Sequence, residues 1–161
     1  MTANNNKKIR IIFVCLGNIC RSPAAEAIFK HKIAQTGFSD SYIVDSAGIH
    51  GYHSGENADI RMIRHASRRG ITIDSISRQF KYEDFDKFDY IIGMDDSNIK
   101  ALKKIALSNE DLLKISKMTD YSASLNISQV PDPYYGGYDG FERVLDILDD
   151  SINGLIKKIE T

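Results

Sequence analysis

The residues that could carry chemistry are concentrated in one short segment, the cysteine loop, Cys15-Leu16-Gly17-Asn18-Ile19-Cys20-Arg21-Ser22. When a thiolate cleaves a phosphate ester, the reaction needs an ionised thiol, donors for the phosphoryl oxygens, a balancing cation and an acid for the leaving group. Cys15 supplies the thiol. Arg21, six residues later in a Cys-x5-Arg spacing, supplies a planar guanidinium that binds two phosphoryl oxygens at once. The cysteine loop therefore predicts a site for phosphate-ester chemistry.

The position of the cysteine loop between a predicted strand and a predicted helix supplies the remaining donors. Successive backbone N–H groups at the start of a helix stabilise both a thiolate and a bound phosphate dianion. Gly17 allows the backbone to turn tightly, and Ser22 donates its hydroxyl to the Cys15 sulfur, caps the helix, or does both. The alternative is a buried structural cysteine and a surface arginine, although a cation is disfavoured at that end of a helix.

A second segment, Val130-Pro131-Asp132-Pro133-Tyr134-Tyr135-Gly136-Gly137, has the composition of a turn. Its prolines hold Asp132 between them, and two tyrosines and a glycine pair follow. Taken alone, the segment fits an ordinary turn equally well. Together with the cysteine loop, it predicts Asp132 as the general acid that protonates the leaving group.

Strands alternate with helices along the chain. This order predicts a parallel sheet covered by helices on both faces, with the ligand site at the carboxyl ends of the strands. We predict strands at Ile9–Val14, Tyr42–Val44, Tyr90–Met94 and Ile115–Met118. We predict helices from Ser22 to Gly37, over Ala58–Arg69, after a cap at Asp95 or Asp96, and from about Phe141 to Ile159.

The composition limits the possible classes of protein. A chain of 161 residues corresponds to one domain, residues 1–161, of which the polar residues 1–7 are predicted to be flexible. A net charge of −1 gives no reason to expect nucleic acid or a membrane as a partner. Cys15 and Cys20 are too few and too close for a disulfide framework. Because the apolar run near the start is shorter than a signal-peptide core or a membrane span, we expect a cytoplasmic protein.

Other charged and metal-binding residue types give weaker signals. One predicted helix carries Arg61, Arg64, Arg68 and Arg69. These arginines form either a local basic patch or, as is commoner, an ordinary solvated face. No metal site is predicted, because Cys15 and Cys20 lack the spacing of zinc motifs and no ligand pattern is shown by His31, His50, His53 and His65.

Several motifs occur in the order found in low-molecular-weight protein tyrosine phosphatases, and the chain resembles that family over nearly its whole length. The shared motifs are Val14-Cys15-Leu16-Gly17-Asn18-Ile19-Cys20-Arg21-Ser22-Pro23, Asp45-Ser46-Ala47-Gly48, Ser77-Arg78-Gln79, Asp89-Tyr90-Ile91-Ile92-Gly93-Met94-Asp95 and Asp132-Pro133-Tyr134-Tyr135. The resemblance implies a flavodoxin-like three-layer α/β fold whose four-stranded parallel sheet has the order 2-1-3-4. It also implies a hydrolase, a protein tyrosine phosphatase that acts on phosphotyrosine in proteins through a cysteinyl-phosphate intermediate, with no metal or other cofactor.

The resemblance assigns roles to the residues of the site. Cys15 is the nucleophile, Arg21 the phosphate clamp, and Asp132 the general acid and later the base for water. Asn18, assisted by Ser22 and Ser46, holds the loop through side-chain hydrogen bonds, although the types of Asn18 and Ser46 also suit simple turns. Further phosphate-binding loop residues are Leu16, Gly17, Ile19 and Cys20. Aromatic walls beside the phosphotyrosine ring come from Tyr52, Tyr134 and Tyr135.

Three further expectations concern substrate, partners and regulation. Ile19 stands where the phosphoarginine-directed branch of the family commonly has a threonine, so it favours phosphotyrosine. Cys20 is expected to trap oxidised Cys15 as a disulfide, unless it is only a small buried filler. We expect the enzyme to be a monomer whose partners are phosphotyrosine proteins and inorganic phosphate. Inorganic phosphate is both product and competitive ligand.

The chain departs from many relatives in the glycine-rich stretch Gly136-Gly137-Tyr138-Asp139-Gly140. This departure leaves the specificity of the neighbouring surface open.

Two other classes of protein share parts of this pattern. Thioredoxin-coupled arsenate reductases share the fold and the Cys-x5-Arg loop, but they relay oxidation through downstream cysteines, and here none follows Cys20. A phospho-ligand binding module could use the same loop without turnover. Such a module requires neither Cys15 nor a candidate acid, so the presence of both favours an enzyme.

Overall fold

The apolar runs of the sequence form a four-stranded, parallel sheet. A computed structural model of the protein describes residues 7–133 and 136–161. The predicted flexible segment 1–7 therefore lies outside the described residues, except for Lys7. The strands are β1 (Ile9–Cys15), β2 (Tyr42–Gly48), β3 (Tyr90–Gly93) and β4 (Ile115–Lys117). Their order, β2-β1-β3-β4, confirms the predicted 2-1-3-4 sheet.

The helices surround this sheet. They are α1 (Arg21–Thr36), α2 (Ile60–Ser67), α3 (Asp84–Lys87), α4 (Asp96–Ile105), α5 (Asn109–Lys114) and α6 (Gly137–Glu160), with short 3-10 turns at Ser39–Ser41 and Met118–Tyr121. The sequence did not indicate α3 and α5, because such short helices show too few turns to reveal a 3.6-residue period. Within the described part of the chain, no helix is long and apolar enough to cross a membrane.

Alternate residues of β1 bury into two separate layers, because successive side chains of a strand point to opposite faces. Ile11 and Phe13 belong to a core that α1, α2 and α6 cover. Ile12 and Val14 belong to a second core, which Phe85 and the α4 residue Leu102 help to close. The predicted three-layer arrangement, with helices on both faces, is confirmed.

The bounds of several elements differ from the prediction. β2 continues to Gly48, in register with β1 up to the pair Cys15–Gly48, because the polar side chains that obscured it, Asp45 and Ser46, have partners inside the protein. α6 begins at Gly137 rather than at about Phe141. The glycines of its first turn have low helix propensity, so the sequence did not indicate this turn. α1 begins at Arg21 with Cys20 as its N-cap residue, so the prediction that Ser22 caps this helix is wrong.

The register of the sheet places the ends of three strands side by side. Cys15 pairs with Gly48 on one side, and Val14 pairs with Gly93 on the other. The segments that follow β1, β2 and β3 therefore meet at one edge. This is the carboxyl edge, where parallel α/β proteins bind ligands.

Candidate active site

A cavity of about 430 Å³ opens at the carboxyl edge of the sheet. It is lined by Cys15, Leu16, Gly17, Ile19, Cys20, Arg21, His50, Tyr52, His53 and Asp132. The fold thus brings Asp132 and Tyr52 to the cysteine loop from distant parts of the chain. The other two predicted wall residues, Tyr134 and Tyr135, lie outside the described residues.

The Cys15 sulfur lies at the end of β1, against the first turn of α1. It is 3.1 Å from Ser22 Oγ, and the Ser22 backbone N–H donates to it at 3.4 Å. Asn18 Nδ2 donates to the same hydroxyl at 2.7 Å, so the hydroxyl proton can go to the Cys15 sulfur or to the Ala47 carbonyl, 3.3 Å away. Ser22 is fully buried and is positioned to donate to a thiolate.

Asn18 makes the tight turn of the cysteine loop. Its φ of 57° is left-handed, a conformation that asparagine tolerates better than most residues. Its Oδ1 accepts from the Arg78 backbone N–H at 3.0 Å, which orients the amide so that Nδ2 points to Ser22. The expectation that Gly17 supplies the turn is therefore replaced by a different role for that glycine.

Gly17 and Gly48 provide space rather than a special φ. A Cβ on Gly48 would lie 2.9 Å from the Gly17 carbonyl carbon and 3.0 Å from the Asn18 nitrogen, closer than side chains approach backbone. A Cβ on Gly17 would lie 3.2 Å from the His53 ring. Glycine at both positions lets the end of β2 and the residues after it approach the cysteine loop closely.

Carbonyl groups of the cysteine loop accept hydrogen bonds from outside the loop. The carbonyl of Leu16 accepts from His50 N–H at 2.9 Å, and that of Ile19 accepts from Asp59 N–H at 2.8 Å. The Gly17 carbonyl accepts from Ser77 Oγ at 3.1 Å. These bonds direct the carbonyl oxygens toward neighbouring segments and hold the loop in one conformation.

The Arg21 side chain is almost completely buried beside the cavity. Nη1 donates to Asp95 Oδ2 at 2.6 Å and to the Val130 carbonyl at 3.1 Å, and Nη2 lies 3.8 Å from Asp132 Oδ2. Burial alone would lower the pKa of Arg21, but the charge of Cys15 and the hydrogen bond and charge of Asp95 outweigh burial and raise it. The guanidinium stays charged and is oriented before any ligand binds.

Asp132 lies at the rim of the cavity, with 48% of its side chain exposed. The segment before it is attached to the residue that follows β3, because Val130 N–H donates to the Met94 carbonyl at 2.8 Å. On the other side of Asp132, the Pro133 carbonyl accepts from Gly136 N–H at 2.9 Å. These attachments at Val130 and Pro133 present the carboxylate toward the cavity that contains Cys15.

Three other predicted site residues occupy different environments. Ser46 is buried and donates to Glu26 Oε1 of α1 at 2.6 Å. Cys20 is buried, and burial, with smaller contributions from Asp59, Cys15 and Asp132, raises the pKa of its thiol. Tyr52 is 82% exposed, and its ring centroid is 4.9 Å from that of His50.

Asp95, predicted as a possible helix cap, is also the partner of Arg21. Four further residues that shape the site had no role assigned from the sequence: His50 and His53 in the cavity wall, and Ser77 and Arg78 behind the cysteine loop. The shared motif Ser77-Arg78-Gln79 could have indicated that Ser77 and Arg78 support the site. Arg78 also binds Asp45 and Asp84 at 3.0 Å, so it ties the loop to β2 and α3.

The chain is similar to known phosphatases in both sequence and structure. Residues 10–161 match the family model described as low molecular weight phosphotyrosine protein phosphatase. A putative low molecular weight protein-tyrosine-phosphatase of Synechocystis is 40% identical, with 94% of this chain and 96% of that protein covered. The crystal structure of an Entamoeba histolytica protein tyrosine phosphatase with Hepes in its active site has a TM-score of 0.92 at 47% identity, covering 95% of this chain and 97% of that one.

A more distant solved structure is also similar. The arginine phosphatase of Drosophila has a TM-score of 0.88 at 30% identity, with 95% of this chain and 99% of that one covered. The family model spans nearly the whole chain, and the family's catalytic mechanism passes through a phosphorylated cysteine. On this basis, the chain belongs to the low molecular weight phosphotyrosine protein phosphatase family.

Proposed function

We propose that the protein removes phosphate from phosphotyrosine in proteins, with Cys15 as nucleophile. The observation that carries the proposal is the Cys15 sulfur in a cavity lined also by Arg21 and Asp132, with Ser22 Oγ 3.1 Å away. The thiolate attacks phosphorus, an S–P bond forms, and the bond between phosphorus and the tyrosine oxygen breaks. Asp132 gives its proton to the departing tyrosine oxygen.

The second half of the reaction restores the enzyme. Asp132, now a carboxylate, removes a proton from water as the water oxygen attacks phosphorus. The S–P bond breaks, inorganic phosphate leaves, and the Cys15 thiolate is regenerated with Ser22 as its hydrogen-bond donor. Inorganic phosphate is therefore both product and competitive ligand.

Donors around the phosphoryl group lower the energy of the transition state in this proposal. Arg21 offers its guanidinium, and the backbone N–H groups of the loop residues surround the other oxygens: Leu16, Gly17, Ile19 and Cys20. Asn18, through its left-handed backbone and its bonds to Ser22 and Arg78, keeps these donors in place before substrate arrives. Such preorganisation is a large part of enzymatic rate enhancement.

The substrate class is proposed from the cavity wall. Tyr52 offers an exposed ring at the rim, and an aromatic wall suits an aryl phosphate. Phosphoarginine is the second candidate, because the Drosophila arginine phosphatase is structurally similar. Ile19 in the wall favours phosphotyrosine over phosphoarginine. We also propose that the enzyme is cytoplasmic, acts as a monomer and folds as a single domain.

The proposal is tested by measuring the rates at which the enzyme hydrolyses different phosphate substrates. Purified enzyme is given an aryl phosphate, a phosphotyrosine peptide and a phosphoarginine peptide, each with and without a chelator, and Cys15→Ser serves as the control. We expect the phosphotyrosine substrates to be hydrolysed with or without chelator, and acid-quenched protein to carry one phosphoryl group. Substantial activity in Cys15→Ser, or faster turnover of phosphoarginine, would contradict the proposal.

A further inference from the structure

Helix α2 and the residues directly after it carry an exposed face that is rich in arginine. Arg61, Arg64 and Arg68 have the spacing of neighbours on one helix face, and all three are exposed. Arg61 binds Asp59 at 2.8 Å, and Arg69 binds Glu142 and Asp146. Within residues 7–133 and 136–161, no carboxylate pairs with Arg64 or Arg68. Among the described residues, Arg64 and Arg68 therefore have no ion-pair partner on this face.

Aromatic rings hold one of these charges in place. The Arg68 guanidinium lies over the Tyr138 ring, 5.7 Å from its centroid. Tyr138 contacts the His65 ring edge-on at 4.5 Å, and His65 stacks on Phe141 at 5.3 Å. Because a cation on a ring face keeps its N–H edges available, Arg68 is oriented yet can still donate to a carboxylate.

This surface, which we call the arginine strip (Arg64, Arg68 and Tyr138), lies on two helices, α2 (with its C-cap residue, Arg68) and α6, whose N-terminal ends lead to the active site. At the start of α2, Asp59 N–H donates to the carbonyl of Ile19, a residue of the cavity wall. Tyr138 belongs to the first turn of α6, directly after the loop that carries Asp132. A peptide whose phosphotyrosine enters the cavity can therefore extend along the strip.

We propose that the arginine strip binds acidic side chains that flank phosphotyrosine in the substrate protein. The proposal rests on the proposed function and adds a sequence preference to it. Carboxylates match the strip in charge, and the planar guanidiniums of Arg64 and Arg68 can each donate two parallel hydrogen bonds to a carboxylate. Tyr138, 61% exposed, adds apolar area beside them. The strip thus favours phosphotyrosine next to Asp or Glu.

The test compares two phosphotyrosine peptides that differ only in flanking Glu or Gln residues. At low ionic strength, we expect Arg64→Gln/Arg68→Gln to lower kcat/KM for the Glu peptide by about 3–10-fold, through KM, since each exposed pair contributes modestly. The Gln peptide and a small aryl phosphate should change less than about twofold, and the difference should shrink at high salt. Lys103→Gln/Lys104→Gln on α4 removes the same charge elsewhere and should have no selective effect.

Equal losses on both peptides, or the same loss in the lysine control, would show an ordinary solvated face and overturn the proposal. A binding measurement separates this outcome from failure of the proposed function. Cys15→Ser is titrated with each labelled peptide, with and without Arg64→Gln/Arg68→Gln, by fluorescence anisotropy. If wild type hydrolysed no substrate, the proposed function would fail, while a preference of the strip for the Glu peptide would still be measured or refuted.

Discussion

Arg21 Nη1 donates to Asp95 Oδ2 across 2.6 Å, although 74 positions separate the two residues in the chain. The other oxygen of the same carboxylate, Oδ1, accepts from Asn98 N–H at 2.8 Å and so caps α4. Asp95 therefore fixes the guanidinium relative to β3 and α4, and both of its oxygens are engaged inside the protein. It is a positioning residue for Arg21, and a poorer candidate for the acid than Asp132.

This difference between the two aspartates can be tested with leaving groups. Asp132→Ala should slow hydrolysis of esters with poor leaving groups by about 10²–10⁴-fold, the usual contribution of general acid catalysis. An activated aryl ester needs less protonation and should lose less. Asp95→Asn, which keeps the size of the side chain, should reduce the rate without that dependence on the leaving group. The reverse pattern in the two variants would make Asp95 the acid.

Cys20 should protect Cys15 from irreversible oxidation. Peroxide converts the Cys15 thiolate to a sulfenic acid, and the Cys20 thiol then forms a disulfide with it and releases water. Because burial raises the pKa of Cys20, trapping should accelerate as pH rises above neutral. Wild type should recover its activity with dithiothreitol after peroxide, whereas Cys20→Ser should recover little.

The reduced Cys20→Ser enzyme should keep near-normal steady-state activity, since Cys20 has no part in phosphoryl transfer. Full recovery of the oxidised variant would leave Cys20 as a small buried residue without a protective role.

Asp150 should make stability depend on acid pH. Partial burial alone would raise the pKa of Asp150, but hydrogen bonds from the Ser122 and Ser124 hydroxyls and from the Ser124 and Leu125 amides lower it. A folded-state pKa below the unfolded value of about 3.9 stabilises the fold above that pH, and the contribution disappears as pH falls through the folded value.

The free energy of unfolding in urea should therefore be lower for Asp150→Asn than for wild type near pH 6, with the difference shrinking below about pH 4. Asp74→Asn, at an exposed site, serves as the control and should show no such trend. A difference that is constant across this range would indicate that the charge of Asp150 does not contribute.

Gly154 should be intolerant of any side chain. A Cβ at this position of α6 would overlap the carbonyl oxygen of Tyr121, which belongs to the 3-10 turn packed on the helix. Gly154→Ala should lower the free energy of unfolding by about 1–3 kcal/mol, as overpacking usually does, despite the better helix propensity of alanine. Asn153→Ala, on the exposed face of α6, is the matched control. Unchanged stability of Gly154→Ala would mean that the turn moves away without cost.

Local patterns in the sequence were sufficient to predict the frame of the protein. The β-branched run that ends at Cys15 predicts β1, and Gly37 and Asp95 mark where α1 ends and α4 begins. The order of motifs indicated the family and its sheet, which the comparisons and the strand order confirm. These features depend on residues close together in the chain, so their spacing is visible without a structure.

The tertiary structure decided which distant groups complete the site. Asn18 adopts the left-handed conformation at the turn of the loop. Position 48 requires glycine, because the end of β2 approaches the cysteine loop more closely than a side chain allows. Arg21 is oriented by Asp95 and by the Val130 carbonyl, 109 positions away. Such contacts depend on how the strands and loops meet in space, which no local pattern of residue types encodes. The sequence therefore determined the chemistry, and the packing of the sheet edge decided the geometry in which these groups meet.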